Sequence, residues 1–253
     1  MGVASLDFIE YLNNNNIKVV DSFENKVDYK LNITEDEVLK QLIYLKEFHK
    51  RSMGFEKHLR SRLSNKIGRE IEEYKVSLRR FTKDIERIWR EGATNDFEKT
   101  LSYIGEDYIN RGEKALEIVN TSYYVEIILR SMRRKEVCLQ NLWINNLTLE
   151  NNTVKIKEVK EICYNLVEMD LIYLIKKLRR EGHELDWRYI CKKFCDLENI
   201  DDHSEDFIIS LASYPTQVMR CCDRYRENKK NWSFEKYEKK LRKAMKADGK
   251  SLI

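Results

Sequence analysis

Breakers are scarce in this sequence: it holds one proline, Pro215, and eight glycines among 253 residues. So few helix-stopping residues exclude a fold built on tight turns and favour long helices. The glycines stand singly, which leaves no glycine-rich loop to cover a phosphate chain. No stretch of 18 apolar residues and no leader pattern occurs, so neither a membrane span nor secretion is expected. No CxxC pair exists among the six cysteines, Cys138, Cys163, Cys191, Cys195, Cys221 and Cys222. Cys191 and Cys195 sit one helical turn apart without a histidine pair at ligand spacing, so a zinc site is not expected. Reduced, buried thiols in a cytoplasmic compartment are the expectation. The Asn-x-Ser/Thr triplets at Asn32, Asn120 and Asn231 then carry no glycan meaning.

A charge excess of one sign is also missing, with 47 basic against 43 acidic residues. The distribution is uneven, however. Residues 50–90 carry 13 Lys/Arg against 6 Asp/Glu, and residues 220–253 carry 12 against 5. Such faces can meet acidic or phosphate-rich surfaces, although a solvated helix face has the same composition. Apolar residues make up 42% of the chain, enough for a core and against wholesale disorder. Roughly 60% of the chain reads as helix, against a usual share of about one third.

Residues 1–32 are ambiguous, with Ile17, Val19 and Val20 reading as a short strand. Thr34 followed by Glu37 is a capping box that opens a helix with Val38, Leu42, Leu45 and Phe48 on one face. Gly54 ends it. A second helix spans Arg69 to Arg90, with Gly92 placed to terminate it. Helices over 97–118 and 122–134 follow. Residues 137–160 then change character. Val137–Leu139, Trp143–Leu149 and Val154–Val159 read as short strands, the last two separated by Asn151-Asn152, a small hairpin embedded between helices. Helices resume over 168–180, 187–196, 204–213, 216–228 and 234–247. The first is the most apolar and is expected at the centre.

Three segments resemble the spore-coat (CotS-type) kinase-like family of the wider aminoglycoside phosphotransferase and choline kinase-like superfamily. Leu45 to Phe55, LKEFHKRSMGF, is similar to that family's LAxFHxxSxGY segment. Ala115-Leu116, Ser122-Tyr123 and Val137-Cys138 resemble the helix leading into its CHGDxHxxN loop. Tyr214-Pro215, Arg224-Tyr225, Lys229 to Ser233, Tyr237 and Leu241 resemble its FPxxF…xxYY…xxxWSxxxFxxxL ending. The resemblance implies a mainly α fold: a kinase-like C-terminal lobe with a small embedded β-hairpin. It assigns residues 34–253 to that lobe and residues 1–33 to a remnant N-lobe or hinge segment, with Val19, Val20, Asp21 and Phe23 as its trace. The N-lobe is thus expected to be truncated or absent.

Carried over by position, the resemblance places the catalytic HGDxxxxN loop on Leu139 to Asn146. Leu139 then stands at the histidine, Asn141 at the catalytic aspartate, and Asn146 at the metal-binding asparagine. Counting back from Met169-Asp170-Leu171 puts the second magnesium-binding aspartate on Glu158 and its acidic neighbour on Lys160. An amide is no base near neutral pH, so no catalytic residue and no cofactor are expected. Asn146 and Glu158 stay as weak candidates for a residual cation. Trp143 is expected to fill the vacated cleft, His49 to be structural or at the surface, and His183 and His203 to be unpaired. Cys221-Cys222 could cross-link chains in an oxidised coat.

Three functions stay open at this point. One is a non-catalytic scaffold, made in the cytoplasm, deposited in a spore coat and bound to other coat proteins. Another is a phosphotransferase acting on a small hydroxyl or amino substrate. The third is a basic helical module that binds polyanions weakly through residues 50–90 and 220–253.

Overall fold

The computed structural model describes residues 6–23, 33–56, 63–121, 123–144, 146–228 and 230–253. Helix α1 (Leu6–Asn14) leads into β1 (Ile17–Val19). Helix α2 (Glu35–Ser52) starts at the predicted box, where Thr34 Oγ1 accepts from Glu37 N–H and the Glu37 carboxylate accepts from Thr34 N–H. The short strand β2 (Ser64–Asn65) precedes α3 (Arg69–Glu91), which ends at Gly92 with φ 85°, a value glycine takes without strain. Helices α4 (Asp96–Thr121) and α5 (Tyr124–Arg134) follow, then β3 (Val137–Cys138), β4 (Leu147–Glu150), β5 (Thr153–Ile156) and β6 (Cys163–Tyr164). Helices α6 (Glu168–Glu181), α7 (Trp187–Glu198), α8 (His203–Ser213), α9 (Thr216–Glu227) and α10 (Phe234–Asp248) complete the chain.

The helices follow the predicted periodicity, and α6 is central as expected. Its Leu171, Ile172, Leu174, Ile175 and Leu178 are fully buried. Helix α8 packs on it, and α4 closes the far side of α8. Helices α3 and α4 approach closely at two glycines. A Cβ on Gly105 would lie 2.7 Å from Ile85 Cγ2, and one on Gly112 would lie 2.8 Å from Leu78 Cδ1. These absent side chains are what lets two long helices share one seam.

The β-structure departs from expectation in three ways. The hairpin β4–β5 forms, with Asn151 (φ 47°) and Asn152 (φ 58°) as a two-residue turn that needs positive φ at both positions. It gains β1 as a parallel partner of β5, so the sheet order is β1-β5-β4 and extends beyond residues 137–160. A second sheet, β2-β6-β3, forms around the expected strand at Val137–Cys138, pairing it through β6 with β2, two segments the sequence pattern left unassigned. Trp143 and Ile144 belong to no strand, because the backbone before β4 is drawn into a loop held by side-chain hydrogen bonds. Helix α1 was also missed; Phe8 and Leu12 bury one short face. Of the segment read as an N-lobe trace, Val20 N–H donates to Ile156 O (2.9 Å), continuing the β1 edge. Residues 24–32 lie outside the described residues.

Candidate functional site

The loop between β3 and β4 is anchored by one carboxylate. Asp170, fully buried in the first turn of α6, accepts from Leu139 N–H (2.8 Å) and Gln140 N–H (2.7 Å). The same carboxylate receives His49 Nε2 at 3.0 Å, and His49 Nδ1 meets Glu198 at 2.7 Å. All three side chains are buried. Burial alone would lower the histidine pKa, but the two carboxylates outweigh it and raise it to about 10. His49 is therefore an imidazolium clamped between α6 and α7, a structural group as expected, though in the core and not at the surface.

The loop also holds itself. Asn146 Nδ2 donates to Asn141 O, and Asn146 Oδ1 accepts from Trp143 N–H (2.8 Å). Asn141 Nδ2 donates to Glu158 Oε2 (3.0 Å), which lies in the segment after β5. The fold thus brings Asn141, Asn146 and Glu158 together, with Lys160 exposed nearby. Asn145, also on the aligned loop, lies outside the described residues, as do Ser122 and Lys229 of the resembling segments. Leu139, which the resemblance sets at the histidine of its loop, is buried in the apolar core. Gln140, the next residue of the loop, has a positive φ of 64°, which costs a residue with a Cβ about 1–2 kcal/mol.

A magnesium ion bridging phosphate oxygens needs free oxygen ligands in near-octahedral array. Here Asn146 spends its oxygen on its own loop, Glu158 accepts from an amide, and the nearby Lys160 adds a positive charge. These residues do not fit a magnesium nucleotide. A second cluster, His49, Cys138 and Asp170, has ligand atoms within 4.8 Å of one another. Both imidazole nitrogens face carboxylates, and the Cys138 thiol donates to Asn165 O and Leu166 O. Burial holds that thiol well above its usual pKa, so no thiolate is on offer.

Other expected residues fall as follows. The Trp143 ring is half-buried beneath Lys177, whose ammonium lies 4.1 Å from the ring centroid. The ring does not line the cleft beside the loop. His203 is not unpaired: it lies 3.6 Å from Asp201 and against the Tyr123 ring. Cys221 and Cys222 are buried and free, which removes the basis for cross-linking between folded chains. In the basic stretch 50–90, Arg69, Lys75 and Arg87 pair with Glu73, Glu72 and Glu98. Arg226, in the other stretch, is held by Asp84 and Asp223.

Sequence reasoning missed a buried network in which Arg130 bridges Glu136 (3.0 Å) and Glu168 (2.8 Å), while Ser204 donates to Glu168 (2.6 Å). It ties α5 and α8 to the start of α6, behind the loop. It also missed a cavity of about 170 Å³ opening beside the loop. Its walls come from Gln140 and Asn141 of the loop, Tyr173, Lys176, Lys177 and Arg180 of α6, and Gln217 and Arg220 of α9.

No family model matches the sequence, and no curated protein does. Among solved structures, the chain is similar to the crystal structure of an aminoglycoside phosphotransferase from Alicyclobacillus acidocaldarius subsp. acidocaldarius DSM 446. The TM-score is 0.64 at 13% identity, covering 89% of this chain and 64% of that one. The likeness shows a kinase-like, aminoglycoside phosphotransferase-like fold. The chain spans under two thirds of that protein's length. No described helix is long and apolar enough to cross a membrane.

Proposed function

We propose that this chain is a pseudokinase-like binding scaffold: it keeps the shape of a phosphotransferase loop without the chemistry. The observation that carries the reading is Asn141. It stands where the resemblance puts the catalytic base, and it donates an amide hydrogen to Glu158 where a base would accept a proton from substrate. Losing a general base costs about 10²–10⁴ in rate, and the metal position beside it is spent on internal hydrogen bonds. Asp170 still holds the loop backbone, which suits a surface kept for binding. The resemblance further implies a place among other proteins of a spore coat, after synthesis in the cytoplasm.

The test is to incubate pure protein with magnesium ATP and candidate sugars, amines and coat proteins. The expected result is neither turnover nor stabilisation by nucleotide. Turnover that disappears in Asn146→Ala would overturn the proposal and favour the second reading, a phosphotransferase acting on a small hydroxyl or amino substrate. The fold likeness is what supports that second reading.

A further inference from the structure

The cavity beside the loop is lined by four cations, Lys176, Lys177, Arg180 and Arg220, and by no acidic residue. None of the four has a carboxylate within ion-pair distance among the described residues. This sets them apart from most cations of α3 and from Arg226, which are paired. Lys176 is held in place by neutral oxygens, Tyr74 Oη (3.1 Å) and Thr216 Oγ1 (2.7 Å), and lies 4.7 Å from the Tyr74 ring centroid. These contacts position an ammonium without neutralising it.

The nearby carboxylates are engaged elsewhere. Glu70 accepts from Tyr173 Oη and Asn165, Asp248 accepts from Gln217 N–H and Val218 N–H, and Glu158 accepts from Asn141. Burial also holds Lys177 below the usual lysine pKa, with Arg180 adding to that effect against Glu181 and Glu158. A site so arranged gains from an anion. One further group points the same way: Gln140 lines the cavity, and its Nε2 is a buried donor with no partner. A buried donor left unsatisfied costs about 1–3 kcal/mol.

We propose that this cleft between the loop, α6 and α9 is a binding site for a small phosphate-bearing molecule. Two guanidinium groups, Arg180 and Arg220, stand at the mouth, and Lys176 and Gln140 lie within. This is the donor-only lining that phosphate oxygens take up. The volume is below the roughly 300–1,000 Å³ of pockets for drug-sized ligands, so it suits a phosphate head group with little attached. An aminosugar, cationic at neutral pH, would meet like charge there. The site goes beyond the scaffold reading and needs no phosphoryl transfer, so binding is measured without nucleotide or magnesium.

The experiment titrates the full chain with inorganic phosphate and, separately, with glycerol 3-phosphate, by calorimetry at low ionic strength. Wild type is compared with Arg180→Gln/Arg220→Gln and with a control, Arg79→Gln/Lys83→Gln, two exposed cations of α3 that do not line the cleft. All four positions are exposed, so the folded state is kept, and far-ultraviolet circular dichroism checks this. Binding that falls at least about tenfold in the first variant and not in the control supports the site. Tighter binding of glycerol 3-phosphate than of phosphate assigns a monoester ligand; the reverse order assigns the free ion to the same site. Absence of binding, or equal losses in both variants, overturns the proposal by showing no site or only a diffuse charge effect.

Discussion

Replacing His49 by leucine tests the buried cation directly. The folded-state pKa of about 10 compares with 6.5 for the free side chain. At 1.36 kcal/mol per unit, the proton binds the folded state more tightly by at most about 5 kcal/mol. The folded pKa is raised, so this contribution is fully present below pH 6.5 and is lost as pH rises toward 10. His49→Leu leaves Asp170 and Glu198 facing each other without their cation. Breaking a buried pair in this way costs about 3–5 kcal/mol. The destabilisation should therefore be largest near pH 6 and shrink by several kcal/mol by pH 9.5. Urea unfolding of both proteins across that range gives the difference, which cancels the titration of surface groups. Burial also raises Cys138 and Cys222 well above their usual range and Cys163 to about 12, so the thiols lower stability above about pH 9, but they do so alike in both proteins and cancel in the difference. A difference independent of pH would refute the argument and make His49 neutral when folded. Should the variant fail to fold, nitrogen-15 spectra of the wild type at pH 8 decide the matter: two ring N–H signals are expected for His49.

The seam between α3 and α4 predicts that Gly105→Ala destabilises, although alanine favours helix by about 1 kcal/mol. Overpacking against Ile85 at 2.7 Å should cost about 1–3 kcal/mol and dominate, and thermal melts would show a lowered Tm. Native protein should leave all six cysteines unmodified by a thiol reagent until denaturant is added, since every thiol is buried. Rapid labelling of Cys221 or Cys222 would restore the case for cross-linking.

Much of the helical architecture was legible because its causes are local. The Thr34–Glu37 box, Gly92 and the Asn151-Asn152 turn each act on neighbours a few residues away, and the buried stripes of α3 and α6 follow a period of 3.6. Helix α1 escaped because its apolar face is short, and Trp143–Leu149 misled because an apolar run can line a loop as well as a strand. The candidate site was legible only in its members. Leu139, Asn141, Asn146 and Glu158 could be assigned one by one through resemblance, and His49 and Asp170 both lay in resembling segments. Nothing in the sequence said that His49, Asp170 and Glu198 meet, since 121 and 149 positions separate the histidine from its two partners.

By itself, then, the sequence determined a mainly helical chain with one small hairpin embedded between helices. Only the tertiary structure decided that β1 completes the hairpin sheet, that a carboxylate paired with a buried imidazolium anchors the loop, and that cations of α6 and α9 converge unpaired on one cleft. The physical reason is range. Capping, turn chemistry and periodicity are written within a few residues, whereas desolvation and charge pairing depend on which distant segments the core brings together.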